Sequence, residues 1–177
     1  MAHAQVPVDR RLSAPRLVRC DPDDKRRDVC HTVGMLIGEV LRRKGNAVAT
    51  VTPTSTIAEV VEALAQFGVG ALVVSADGQS VDGIISERDV VRAVAARGRD
   101  AVDETAADVM TTDVVTCSET ATIEQLMTEM TERRFRHVPV TEEGRLVGIV
   151  SIGDVVNARV RNLETETRQL TNYISGY

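Results

Sequence analysis

Aromatic residues are scarce in this chain: two Tyr, two Phe and no Trp among 177 residues. That leaves no platforms on which exposed bases could stack, and a net charge of -5 leaves no basic excess to track a phosphate backbone. Nucleic acid is therefore not an expected partner. Long apolar runs are missing too. None approaches the ~18 residues of a membrane span. The first residues lack the apolar centre of a secretory signal. Arg10, Arg11, Arg16 and Arg19 would suit an organelle transit peptide, but Asp9, Asp21, Asp23 and Asp24 argue against one, since such peptides are poor in acids. The three cysteines, Cys20, Cys30 and Cys117, form no disulfide framework, and with His31 they match no zinc spacing. A reduced, cytoplasmic setting is the expectation. Gly-rich phosphate loops are absent, and so is any nucleophile–base constellation. A nucleotide-acting enzyme is correspondingly disfavoured. Met127 and Met130 read as core filler.

What the chain does have is a repeat. Gly83-Ile84-Ile85-Ser86-Glu87-Arg88-Asp89 recurs as Gly148-Ile149-Val150-Ser151-Ile152-Gly153-Asp154. The likeness continues from Asp89-Val90-Val91 to Asp154-Val155-Val156. Upstream it links Gly70-Ala71-Leu72-Val73-Val74 with Arg136-His137-Val138-Pro139-Val140, and Thr56-Ile57 with Thr122-Ile123. The offset is 66 upstream of the Gly78 and Gly144 turns and 65 downstream, so one residue was gained or lost there, where a loop tolerates it. A unit of about sixty residues buries only a marginal core, and two units are too few for a solenoid. A closed pair packed face to face is the natural solution. Its core must be built from Val, Ala, Leu and Ile, a mixture that suits an α/β fold.

Hydrophobic periodicity divides the chain as follows. Residues 1–32 read as a poorly ordered extension, 33–103 as the first repeat, 104–162 as the second and 163–177 as a helical tail. A short helix is predicted over Val33–Arg43. Each unit then reads β-α-β-β-α. In the first unit these are strand 47–51, a helix from Ile57 capped by Thr56 with Glu59, strands 71–75 and 81–85, and a helix over 87–96. In the second they are strand 114–116, helix 123–133, strands 137–141 and 146–150, and helix 152–161, before a further helix over 163–174. The middle strands have few polar positions, so both their faces are buried, and each unit's sheet covers the other's.

Ser86 and Ser151 sit where a strand turns into a helix. A helix N-terminus carries unpaired N–H groups and partial positive charge, which suits phosphate. Asp89 and Asp154 follow within the first turn. A carboxylate there can accept two bonds from a vicinal diol, each worth roughly 1.5–3 kcal/mol. The same spacing is also an ordinary helix cap, and both roles can hold together.

The duplicated Gly-Ile-(Ile/Val)-Ser-x-x-Asp, the preceding Ala71–Val74 and His137–Val140 strands and the Thr-Ile helix starts resemble those of tandem CBS-domain proteins, named after cystathionine β-synthase. The tail Gln169–Tyr177 resembles that of small stand-alone bacterial and organellar members. The resemblance implies two repeats packed sheet to sheet about a pseudo-twofold axis, with two clefts that take adenosine ligands: AMP, ADP, ATP or NAD. It assigns Ile84, Ser86, Arg88 and Asp89 to one cleft, with Val115, Arg136 and His137 on the opposite wall. It assigns Ile149, Ser151, Gly153 and Asp154 to the other, with Ala49, Gly70 and Ala71 opposite. Arg136 and His137 occupy the repeat positions of Gly70 and Ala71, so the clefts are unequal and the first suits polyphosphates or dinucleotides. Arg133 reads as a solvated helix end. The resemblance further implies a homodimer through the helices after each Ser-x-x-Asp, where Val90, Val91, Val94, Val155 and Val156 suit an interface or equally an intramolecular core. No cofactor is required, and an effector protein is expected. The function expected is regulatory binding. The alternatives are an interaction protein with empty clefts or, less well supported, an enzyme acting on nucleotides.

Overall fold

Two β-hairpin-and-helix units form the body of the protein in the computed structural model, which describes residues 34–174. The extension expected at 1–32, with Cys20, Cys30 and His31, lies outside the described residues. In chain order the elements are α1 (Ile37–Lys44), β1 (Thr50–Val51), α2 (Ile57–Phe67), β2 (Ala71–Val74), β3 (Gly83–Ser86), α3 (Glu87–Arg97), a 3-10 turn (Gly98–Asp103), α4 (Ala106–Val109), α5 (Ile123–Arg133), β4 (His137–Glu142), β5 (Arg145–Ser151) and α6 (Ile152–Ile174). In the first unit β1 runs parallel to β2, which pairs antiparallel with β3. In the second, β4 and β5 form a hairpin closed by a two-residue turn at Glu143 and Gly144, both at positive φ.

Local chemistry sets most of these boundaries. Thr56 caps α2 and shares a reciprocal capping box with Glu59: the Thr56 N–H donates to Glu59 Oε2 (2.8 Å) and the Glu59 N–H to Thr56 Oγ1 (3.2 Å). Thr122 and Gln125 repeat the device on α5. Several elements differ from the sequence expectation: the strand expected at 47–51 is only Thr50–Val51, and the 3-10 turn and α4 have no counterpart in it. Helix α1 starts at Ile37 because Leu36 is extended and bridges Thr122. The strand expected at 114–116 shrinks to one parallel bridge, Cys117 with Val140, because Val114 and Val115 turn aside to line a cleft. The two final helices are one, α6, since no Gly or Pro stands between Gly153 and Ile174.

Each repeat has its own core. Ile57, Val60, Leu64, Leu72, Val74, Ile85 and Val90 fill the first, and Ile123, Leu126, Met130, Val138, Val140, Val150 and Val155 the second. Alternate strand residues face the other way: Ala71, Val73 and Pro139 are also buried, so the two sheets cover one another as the apolar strands implied. At the contact a Cβ on Gly70 would lie only 3.3 Å from His137 Cε1.

The short leading helices exchange places. Helix α1 precedes the first repeat yet buries Ile37, Val40 and Leu41 in the second repeat's core. Helix α4 precedes the second repeat and buries Ala106 in the first repeat's core. The backbone bonds match pairwise. Ile37 N–H donates to Ala121 O (2.9 Å) as Ala106 N–H does to Ser55 O (2.7 Å), and Gly38 N–H to Glu119 O (2.9 Å) as Ala107 N–H does to Pro53 O (3.0 Å). These pairs express the pseudo-twofold relation between the repeats. Among the described residues, no helix is long and apolar enough to cross a membrane.

Candidate functional site

Both Ser-x-x-Asp turns are helix caps. The Ser86 N–H (3.0 Å) and hydroxyl (2.6 Å) donate to Asp89 Oδ2. The Ser151 N–H and hydroxyl donate to Asp154 Oδ2, each at 2.8 Å, and the Asp154 N–H returns to Ser151 Oγ at 3.2 Å. Strand pairing places the turns alike: Ala71 lies opposite Ser86, and His137 opposite Ser151. The first N–H of each helix is taken by the strand beside it, Glu87 by Gly70 O (3.2 Å) and Ile152 by Arg136 O (2.8 Å). Among the described residues Asp89 Oδ1 takes no bond. The cap therefore uses one carboxylate oxygen and leaves the other.

Above Asp89 opens a cleft of about 440 Å³ between the repeats. Its lining includes every residue assigned to the first cleft from the sequence: Ile84, Ser86, Arg88, Asp89, Val115, Arg136 and His137. Gly70 and Ala71, assigned to the second cleft, line this one instead, because β2 lies against β3 and brings them beside Ser86. Sequence reasoning missed Arg92, Asp113, Arg134 and Phe135, and read Arg133 as merely solvated, yet all five line the cleft. Arg92 was within reach of the argument, since it lies three residues after Asp89, on the same face of α3. Five arginines (88, 92, 133, 134 and 136) face three carboxylates (Glu87, Asp89 and Asp113), so the cleft is cationic in an acidic protein. Arg134 ends α5 in the left-handed conformation (φ 60°), where the equivalent position in the first repeat is Gly68 (φ 62°). Burial pushes the His137 imidazole below its ordinary pKa, and Lys44 and Arg136 add to the shift against the opposing pull of Asp154 and Glu87. A neutral imidazole offers one donor and one acceptor at the cleft wall.

The second turn is surrounded differently. Lys44 Nζ lies 2.5 Å from Asp154 Oδ2. Burial works to raise the Asp154 pKa, but the bonds from Lys44 and Ser151 outweigh it and hold the carboxyl below its usual value. The space beside this pair is a hollow of about 190 Å³ between α1 and α6, lined in part by Met35, Arg43 and Asn157. Of the residues assigned to a second cleft, Asp154 alone lines this hollow. Ile149 and Ser151 stay on β5, Gly153 lies on the first turn of α6, and Ala49 packs against the first repeat's core. Helix α1 stands on that side of the molecule. Among the described residues no cluster of His, Cys, Asp and Glu could hold a metal ion.

Two repeats related by a pseudo-twofold, each with a Ser-x-x-Asp turn between a β-hairpin and a helix, define an intramolecular pair of like modules. The family model for the CBS domain matches residues 37–96 and 106–161, and the chain belongs to that family. It is 35% identical over 148 residues to the mitochondrial CBS domain-containing protein CBSX3 of Arabidopsis thaliana, covering 79% of this chain and 72% of that protein. It is 33% identical to YhcV of Bacillus subtilis over 71% of this chain and 87% of the relative. Among solved structures, a CBS-domain protein of Agrobacterium tumefaciens, ATU1752, aligns with a TM-score of 0.68 at 49% identity, covering 70% of this chain and 98% of that one. A Pyrobaculum aerophilum CBS protein complexed with AMP, PAE2072, aligns with a TM-score of 0.64 at 31% identity, covering 75% and 98%.

Proposed function

We propose that the protein is a regulatory module that binds an adenosine ligand in the cleft above Asp89 and is not itself an enzyme. The carrying observation is the cleft: about 440 Å³, five arginines, and an aspartate whose Oδ1 is open to a ribose diol. Its volume falls within the ~300–1,000 Å³ typical of small-molecule sites. The AMP complex of the Pyrobaculum relative supports the adenosine class. The number of arginines favours ADP, ATP or NAD over AMP, because guanidinium groups pair phosphate oxygens two at a time. Occupancy biases the protein toward the conformation with the higher affinity and so alters the surface offered to an effector protein. The setting is cytoplasmic in this reading.

The reading includes a homodimer. Val90 and Val155 are buried within their own repeats, while Val91, Val94, Val156, Val160 and Leu163 are exposed on α3 and α6. Such a set supports association through these helices.

A thermal-shift panel of adenosine and guanosine nucleotides, NAD and S-adenosylmethionine tests the function. A ligand at a hundred times its dissociation constant adds ~2.7 kcal/mol. That is a rise of roughly 5–10 °C for a chain of this size. Asp89→Ala should abolish most of the rise. No shift with any nucleotide would overturn the proposal, and consumption of the nucleotide over time would favour an enzyme.

A further inference from the structure

The two aspartates differ in what reaches them. Val51 and Cys117 hold equivalent places: Val51 O accepts from Ser75 N–H and Cys117 O from Thr141 N–H, both at 2.9 Å. Leu41 and Met110 are equivalent too, since they fill the space over the repeated glycines Gly148 and Gly83. Between these two fixed points the first repeat's leader is three residues longer than the second's. The surplus is the last turn of α1, Arg42–Lys44, and α4 has no such turn. It brings Lys44 Nζ within 2.5 Å of Asp154 Oδ2, an oxygen that already accepts two bonds from Ser151. Asp89 has no such partner among the described residues. Among the described residues it forms no ion pair, although five arginines line its cleft.

We propose that Lys44 is a built-in plug. Its ammonium occupies the ligand's place at the second Ser-x-x-Asp turn and confines the protein to one nucleotide per chain, bound above Asp89. The plug rests on the nucleotide reading given above. The hollow beside Asp154, about 190 Å³, lies below the ~300 Å³ lower range of small-molecule sites, whereas the cleft at Asp89 lies above it. The plug is also firmly seated. Ile37 and Leu41 are essentially without exposure, so the turn carrying Lys44 is fixed to the second repeat's core. The three bonds to the Asp154 carboxylate all fall on Oδ2, so what sets this turn apart from Asp89 is the ammonium itself, a cation held against the carboxylate to which a diol would have to donate.

Calorimetric titration with ATP reads the stoichiometry. Wild type should bind one ATP per chain, and Lys44→Met two. Asp89→Ala should bind none, and Lys44→Met/Asp89→Ala one. Two sites in wild type, or one site in both wild type and Lys44→Met, would overturn the plug and leave the nucleotide reading intact. No binding by any of the four proteins would overturn the nucleotide reading. A second measurement needs no ligand: an NMR titration of the Asp154 carboxyl, whose pKa should rise toward the ordinary value in Lys44→Met. An unchanged pKa would mean that the contact is not made, and the plug would fail whatever the nucleotide does.

Discussion

Arg134 shows how one position can serve the site at the expense of the fold. Helix α2 ends on Gly68 in the left-handed region at no steric cost, and α5 makes the same turn with an arginine. A side chain there costs of order 1–2 kcal/mol. Such strain persists where the residue is wanted for another reason, and here the side chain lines a cationic cleft. Arg134→Gly should therefore stabilise the protein by about 1 kcal/mol in chemical denaturation while weakening nucleotide binding several-fold. A variant that lost stability, or bound as tightly as wild type, would count against this account. The same residue marks the limit of reading the site from sequence. Ser86, Asp89, Ser151 and Asp154 stood out because they are duplicated. Arg92, Arg133 and Arg134 did not, since an arginine near a helix end has the same local signature whether it faces solvent or a ligand. Only the approach of 133–137 to the turn at Ser86 separates the two cases, and that approach is tertiary.

At the scale of elements, strands β2 to β5 and helices α2 and α5 were legible because turn glycines, capping threonines and apolar runs agreed with one another. Helix α1 was legible as a helix but not as a partner of the second repeat. Its apolar face of Ile37, Val40 and Leu41 states that it must be covered and does not state by what. Leu41 is almost fully buried, and its δ-carbons fill the space that a side chain on Gly148 would need. Leu41→Ala should cost about 2–5 kcal/mol. Hydrogen exchange should show the loss concentrated in β4, β5 and α5 of the second repeat. If protection fell first around β1 and α2 instead, the reciprocal docking of the leading helices would be wrong. The strand at 114–116 failed as an expectation for a related reason: two valines read as strand-forming, yet they line the cleft and leave Cys117 to make the single bridge.

For the whole molecule, the repeat sets the symmetry, and the departures from symmetry make the two Ser-x-x-Asp turns unequal. The cationic wall, the surplus turn of α1 and the long α6 each belong to one half only. The exposed apolar residues of α3 and α6 are a property of the assembled pair, because Val91 and Val156 stand at equivalent repeat positions and are both exposed. Stable interfaces bury ~1,200–2,000 Å² in total, and a charge at their centre is strongly unfavourable. Sedimentation should give a dimer for wild type and a monomer for Val91→Asp/Val156→Asp, with the thermal midpoint of the monomer little changed. A wild-type protein that sediments as a monomer at micromolar concentration would remove the homodimer from the proposal.

The exchange of leading helices has a bearing on ancestry. A polypeptide half this long, made of one short helix and one repeat, would leave its helix without a groove and its repeat without a cover. It could satisfy both only by associating with an identical copy, each lending its helix to the other. Head-to-tail fusion of two such genes would preserve every contact of that obligate pair. It would also, for the first time, free the two halves to diverge, one keeping an open carboxylate and the other acquiring a lysine beside its own.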